Sequence, residues 1–425
     1  MSAHLRVAPD TTRVRLLDGA AVLPAHGTES LTGVARQDLA AHVAEHGSSV
    51  HSGAALIAEL AAVSLTGRGG GHFPTATKWR AVPPGGTVVV NGAEGEPGCA
   101  KDAVLLQTRP HLVLDGLVAA IEAVGARDGV VWLHDGAHAT ARSVSAALAE
   151  RAAAGLGDPP IRIVLAPDRY LSGEGTAIIR TLEGGPTLPR WVADPARPWS
   201  EGARPVLVNN TETLARAALV ALHGSEAYEP TSLVTVVSMN HRAVLEIEPG
   251  TTLGGLVAQA WQSPDGHAPQ AVLLGGYGGS WIAWRDAAHL VLDPEPLRAH
   301  GLSLGAGLVA PLPASACGIE ESARLLRYLA SQSAKQCGPC VFGLPAIAEL
   351  AADLTAGRLG RSGRARLDRY VREVSGRGAC RHPDGALRMW TSALTALHDD
   401  VRRHRRGRTC GAPLYDVLPL PEGAP

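Results

Sequence analysis

Lysine is almost missing from this chain: its 425 residues include three, Lys78, Lys101 and Lys335, alongside only four asparagines and two phenylalanines. Ala, Gly and Arg are abundant, as drift toward GC-rich codons would give, so a surviving Lys, Asn or Phe marks a position where chemistry resists replacement. Long apolar runs are also missing. Nothing approaches the roughly 18 to 20 residues that cross a bilayer, and the N-terminus MSAHLRVAPDTTRVRLLDG lacks the apolar core of a signal peptide. A cytoplasmic protein without direct membrane insertion is expected. A formal net charge of -1 provides no basic field for nucleic acid. Six cysteines are too few for a disulfide framework in so long a chain, and Cys337-Gly-Pro-Cys340 reads instead as a metal, cluster or redox site.

What is present is ample core material, 45% apolar residues, enough for two to four domains. Residues 1–60 read as an Ala- and His-rich helical lead-in. From 61 to 228 apolar strand-like runs alternate with helical stretches: TVVVNG, GVVWLHDG, IRIVLAP and RPVLVNN each precede or follow a helix-length segment. That alternation predicts an α/β, doubly wound parallel sheet covered on both faces. Residues 229–304 read strand, turn, strand, helix, strand, a small α+β module. From 305 to 405 the apolar period is 3.6, which predicts a helical domain with Cys337, Cys340 and Cys380 in its loops. Residues 406–425 read as a tail.

Four windows carry chemistry. GRGGGHFPTATKW (67–79) removes side chains at Gly67, Gly69, Gly70 and Gly71 and adds the charges of Arg68 and Lys78, as a phosphate cradle needs. It matches neither the P-loop nor the dinucleotide fingerprint, and a flexible surface loop is the plainer alternative. VVVNGAEGEPGCAKD (88–102) ends a strand with Asn91, then places Glu94 and Glu96 where open α/β sheets bind ligands, unless it is simply an acidic turn. YLSGEGTAIIRTLEGG (170–185) sets Tyr170, Gly173 and Glu174 at a strand-to-helix turn. VNNTETLARAA (208–218) does the same with Asn209, Asn210 and Thr211, whose hydroxyl is a candidate helix cap. Glycine, amide and carboxylate at several strand ends suit a nucleotide or flavin better than a metal.

In series, over about residues 60 to 400, these windows resemble the flavin-carrying, NADH-binding 51-kDa subunit family of respiratory complex I and the related flavin subunits of NAD-linked hydrogenases and formate dehydrogenases. The resemblance implies a Rossmann-like FMN and NAD(H) domain, a β-grasp (ubiquitin-like, soluble-ligand-binding) module, and a helical bundle bearing a [4Fe-4S] cluster. It implies that Gly67, Arg68, Gly69, Gly70 and Lys78 line the FMN phosphate side and that Phe73 lies near the nicotinamide nucleotide. Asn91, Glu94 and Glu96 would face flavin and nicotinamide, with Glu94 the catalytic position. Tyr170, Gly173 and Glu174 would border the isoalloxazine, and Asn209, Asn210 and Thr211 would complete the FMN site. The implied activity is an NAD(P)H dehydrogenase that passes single electrons to an iron–sulfur centre or ferredoxin partner, either alone or in a membrane complex through other subunits. A non-catalytic binding relative with a decayed flavin site is the rival.

The chain also departs from the family pattern. The family's Gly-Ala-Gly-Phe reads Gly70-Gly71-His72-Phe73 here, so His72 stands where the family has Gly; Ala93 replaces an aspartate, Gly175 replaces the second glutamate of Gly-Glu-Glu-Thr, and Gly185 replaces a lysine. Of the four cluster cysteines, Cys337, Cys340 and Cys380 match, but the first position is Ala334. Cys410, Cys317, His382 and an external ligand are the candidates for the fourth; a three-iron cluster, no cluster, and zinc on the same residues are the other readings. Gly175 removes a carboxylate that would repel a 2′-phosphate, so the choice between NAD(H) and NADP(H) stays open.

Overall fold

The computed structural model describes residues 15–27, 30–47, 53–192, 204–404, 409–412, 416–421 and 423–424. Among the described residues ten strands divide into two sheets: β1 (Ala21–Pro24), β2 (Thr87–Asn91), β3 (Asp128–His134), β4 (Ile161–Ala166), β5 (Val206–Asn210), β6 (Ser232–Val237), β7 (His241–Ile247), β8 (Ala271–Leu274), β9 (Ser280–Ala283) and β10 (Leu308–Leu312). The first sheet is parallel, in the order β4-β3-β2-β5. Central strands such as TVVVN are apolar on both faces because helices cover both. Val88, Val90, Val131 and Leu133 pack toward the helices Pro110–Val124 and Thr211–His223. Val89, Val130 and Trp132 pack toward Ile178 and Ile179 of the helix Gly175–Leu182.

The chain walks outward from β2 to β3 to β4, then returns to set β5 on the other side of β2. The order therefore reverses between β2 and β5, and the crevice at their carboxyl ends is where such sheets bind ligands. Asn91 and Asn210 are register partners at that end. The expected doubly wound parallel architecture is present.

The second sheet runs β1-β7-β6-β10-β8-β9, antiparallel except for the parallel β6/β10 pair, with the helix Leu253–Ala260 on one face. Its hairpin, helix and central parallel strand make a β-grasp arrangement. Two boundaries differ from those the sequence predicts. The N-terminal segment expected to be helical carries the helices Leu39–His46 and Ala54–Ala62 but also contributes β1, four residues whose pairing partner lies over 200 positions away and leaves no local periodicity. The boundary expected at 304 falls inside the sheet, because β10 completes it. The helical region then begins at Gly318, with helices Gly318–Ser331, Leu344–Thr355, Arg361–Val374, His382–Ala396 and His398–His404. No single described helix is long and apolar enough to cross a membrane.

Candidate functional site

At the β2/β5 switch point the chain forms a cleft of about 620 Å³, a size typical of sites for cofactors. Its walls come from all three regions: the loop Arg68–Gly71, the segment from Asn91 to Asp102, the turn Tyr170–Glu174, Asn210, the β-grasp loops around Gly275–Gly279 and Ser303–Ala306, and the stretch from Cys380 to Arg388.

The glycine loop is shaped for a ligand. Gly67 N–H donates to the Phe73 carbonyl and closes the loop. Gly70 adopts φ +99°, which favours glycine. A Cβ on Gly69 would come within 3.2 Å of Asn210 Cβ, whereas a Cβ on Gly71, which lines the cleft, would meet nothing within 4 Å. The acidic segment is held by equally close approaches: a Cβ on Gly95 would lie 2.0 Å from the Tyr170 carbonyl, and one on Gly173 would lie 2.3 Å from the Ala93 carbonyl. Asn91 Nδ2 donates to the Gly173 carbonyl at 2.8 Å, tying the end of β2 to that turn.

Two carboxylates stand at the centre. Glu94 accepts the Ala103 N–H at 2.9 Å through Oε2, while its buried Oε1 has no partner among the described residues. Burial, reinforced by Asp102, pushes Glu94 up to about 7. Glu96 accepts Tyr170 Oη–H at 2.6 Å and Tyr277 N–H at 2.7 Å; burial outweighs both bonds and also pushes it up to about 7. Glu174 caps the helix Gly175–Leu182 through the Ala177 N–H at 3.0 Å, and burial raises its pKa.

Of the residues expected at the site, Arg68, Gly69, Gly70, Asn91, Glu94, Glu96, Tyr170, Gly173, Glu174 and Asn210 line the cleft. Gly67, Phe73, Lys78, Asn209 and Thr211 lie outside its lining. Lys78 Nζ donates to the Val208 carbonyl under β5, where burial pushes its pKa down to about 8. Phe73 is exposed. Thr211 does not cap its helix: Asn210 does, through the Glu212 N–H at 3.0 Å, and the Thr211 hydroxyl donates to the Asn91 carbonyl at 3.1 Å.

The cleft also has a floor that the site residues alone did not reveal. Lys101, 2% exposed, bridges Asp102 at 2.9 Å and Glu212 at 3.0 Å, and Glu212 continues to Arg216 at 3.0 Å. Burial works against the Lys101 charge, but Asp102 and Glu212 outweigh it and hold the pKa above its ordinary value. Lys101 was already marked by its rarity. The Gly275–Gly279 loop carries no such mark, yet it wraps Glu96 so tightly that a Cβ on Gly276 would sit 2.7 Å from Oε1.

On the helical side, Cys340 lies in a π-helical turn, Pro339–Gly343, rather than an open loop, and Cys380 lies two residues before the helix His382–Ala396. Burial raises the Cys340 and Cys380 thiols, with Cys337 a further cause for both and Cys380 a further cause for Cys340. Cys380 lines the cleft, Cys337 and Cys340 lie near it outside the lining, and the fourth family position is Ala334. Cys317 and Cys410 do not complete the set; they meet at the far end of the helix Gly318–Ser331. His382 uses Nε2 on the Leu329 carbonyl at 2.8 Å.

Comparison with known proteins points to one family. Residues 60–218 match the model of the Nuo51 FMN-binding domain, and residues 320–404 match the NADH-ubiquinone oxidoreductase-F iron-sulfur binding region. The F subunit of the NADH-quinone oxidoreductase of Streptomyces coelicolor is 29% identical, the alignment covering 84% of each chain. The second F-type chain of the Rhizobium meliloti NADH-quinone oxidoreductase is 28% identical over 82% of this chain and 88% of its own. A chain of an NAD+-reducing [NiFe]-hydrogenase, solved in the H2-reduced state, superposes with TM-score 0.73 at 26% identity, covering 83% of this chain and 63% of that one. The present chain therefore spans about two thirds of the hydrogenase chain.

Proposed function

Starting from a chain that belongs to the family of the flavin-carrying, NADH-binding 51-kDa subunit of respiratory complex I, we propose that this protein oxidises NAD(P)H at the cleft and delivers single electrons through its cysteine wall. The observation that carries the reading is one cavity lined both by the glycine cradle and by Cys380. FMN fits the residues present: the space beside Gly71, the unpartnered Glu94 Oε1 and the unpartnered Arg68 Nε are features a polar, phosphate-bearing ligand would fill. Bound there, FMN supplies the conversion of a nicotinamide hydride into electrons released singly. Cys337, Cys340 and Cys380 supply three of the thiolates that an iron–sulfur cluster takes.

The chain's own contributions are positional and electrostatic. Arg68 and the Gly69–Gly71 backbone face the phosphate side, and Arg381 and Arg388 place positive charge on the opposite wall for the dinucleotide phosphates. Glu94, with Oε1 unpartnered and its pKa near neutrality, is placed to accept a hydrogen bond or hold a proton at that atom. The Glu96–Tyr170–Tyr277 bonds keep the β-grasp loop closed over the site. The electron acceptor is a ferredoxin or other iron–sulfur partner, in a small assembly or a multi-subunit complex.

An anaerobically purified sample provides the test. Its visible spectrum should show flavin and iron–sulfur absorption, both bleached by NADH. A colourless protein that takes up no FMN would reject the reading.

A further inference from the structure

Four donor atoms from distant points of the chain meet at the start of the helix Gly318–Ser331, the end opposite Cys337. Cys317 precedes the helix and is buried, Glu320 lies in its first turn, His404 ends the last helix, and Cys410 comes from the C-terminal segment. Cys317 Sγ lies 3.3 Å from His404 Nε2, His404 Nε2 lies 3.8 Å from Glu320 Oε1, and Glu320 Oε1 lies 4.0 Å from Cys410 Sγ. All four ligand atoms fall within 4.8 Å of one another. Bonds of about 2.0–2.3 Å to a tetrahedral Zn²⁺ set donors roughly 3.3–3.8 Å apart, so only small closure is needed.

The surroundings fit a metal as well as the donors do. His404 Nδ1–H donates to the Thr355 carbonyl at 2.6 Å, which turns the Nε2 lone pair toward the other three donors, as metal-bound histidines are held by a second partner. Two thiolates, an imidazole and a carboxylate form the borderline-soft set that zinc prefers over magnesium or calcium. Arg403 pairs with Asp400 beside the cluster, and Cys317 and Cys410 add to the negative groups that favour its charge. With all four positions taken by protein, the site is closed and structural.

We propose that Cys317, Glu320, His404 and Cys410 bind a structural Zn²⁺ ion that pins the C-terminal segment to the helical region. That segment is not idle. Leu418 and its neighbour Val417 are buried, the Leu418 carbonyl accepts from Arg324 at 2.6 Å, and the Pro419 carbonyl accepts from Tyr277 Oη–H. Tyr277 is the residue whose backbone grips Glu96, so the metal fixes a strap that ends against the cofactor cleft.

The test is metal analysis of the purified full chain, with zinc and iron measured separately in wild type, Cys410→Ser and Cys337→Ser. About one zinc per chain is expected in wild type and in Cys337→Ser, falling roughly tenfold or more in Cys410→Ser while flavin content is kept. Should Cys410→Ser fail to fold, wild type reduced and stripped by chelator is loaded with Co²⁺ alone, and thiolate-to-cobalt absorption that persists in Cys337→Ser supports the site. Absence of zinc together with no uptake of added Zn²⁺, loss of zinc in Cys337→Ser instead of Cys410→Ser, or a Cys317–Cys410 disulfide in unreduced peptide maps would each overturn it.

Discussion

The two walls of the cleft solve opposite problems. The sheet wall has a framework that is satisfied before any ligand arrives: Lys101, Asp102, Glu212 and Arg216 neutralise one another out of water, Asn210 caps a helix, and Gly95 and Gly173 lock the loops by backbone contact, which leaves Glu94 Oε1 and Arg68 Nε for the ligand. The helical wall presents three converging thiols and an alanine where a fourth belongs. A site for an organic cofactor can be preorganised by groups that satisfy each other, whereas a cluster site is finished only by the cluster. Changes to the thiols should therefore remove a bound group and spare the fold; changes to the buried ionic framework under the sheet wall should do the reverse.

The largest effect expected is on the helical wall. Cys340→Ser should take iron from its wild-type level to background while flavin content and the denaturation midpoint stay put, since the thiols lie outside the sheet's core. Iron analysis beside flavin absorbance reads it. Full retention of iron would mean that the three cysteines hold no cluster. Ala334→Cys sharpens the contrast from the other side by supplying the fourth thiol, and should slow the loss of iron in air.

On the sheet wall, Lys101→Met removes the cation that Asp102 and Glu212 share. Deleting one partner of a buried ionic network typically costs roughly 3–5 kcal/mol, because the remaining charges stay buried without compensation. Urea unfolding of the flavin-free variant measures this. A loss below about 1 kcal/mol would show that water or a side-chain shift relieves Asp102 and Glu212.

How much of this could be read from the sequence depends on how locally each feature is encoded. The parallel sheet was legible because strands such as β2 and helices such as Thr211–His223 each announce themselves within a dozen residues. The glycine loop, Asn91, Glu94, Glu96 and Glu174 were legible because strand-end polar groups are rare and the chain is poor in Asn. The placement of Lys78 was not: its rarity marked it, but whether its ammonium faces the cleft or the Val208 carbonyl depends on the tertiary path of β5. Strand β1, the Gly275–Gly279 clasp on Glu96 and the Cys317–Cys410 meeting all join positions far apart in sequence, so no window contains them.

Protons distinguish the walls next. Glu94 and Glu96 rise from an ordinary 4.5 to about 7 in the folded chain. Below 4.5 both folded and unfolded forms are protonated, and the stabilisation is full. Between 4.5 and about 7 the unfolded chain releases protons that the folded chain keeps, so stability falls as pH rises, then levels off. His46, lowered to about 3 by burial, works in the opposite direction over part of this range, so the difference between variants is the useful quantity. In the flavin-free protein, Glu96→Gln should flatten the decline of the melting temperature between pH 5 and 7. An unchanged slope would place the Glu96 carboxyl in contact with solvent.

The smallest effect lies at the seam of the two walls. Gly175 begins the helix Gly175–Leu182, directly after Glu174 of the cleft lining, and a Cβ there would meet no atom within 4 Å. A glutamate is therefore accommodated, and its charge at a helix N-terminus is favourable for folding. Arg180, the nearest cation considered for a 2′-phosphate, is engaged by Gln336 at 2.8 Å, so wild type has neither a committed phosphate partner nor a repelling carboxylate at this turn. Gly175→Glu should lower kcat/KM for NADPH relative to NADH by about five- to tenfold, the size of roughly 1 kcal/mol between partly solvated charges. The assay uses an artificial acceptor, so that the thiol wall does not limit the rate. If wild type already excludes NADPH as strongly as the glutamate variant, the discriminating charge lies elsewhere in the cleft, and Glu174, whose own carboxylate is spent on capping, is the residue to replace next.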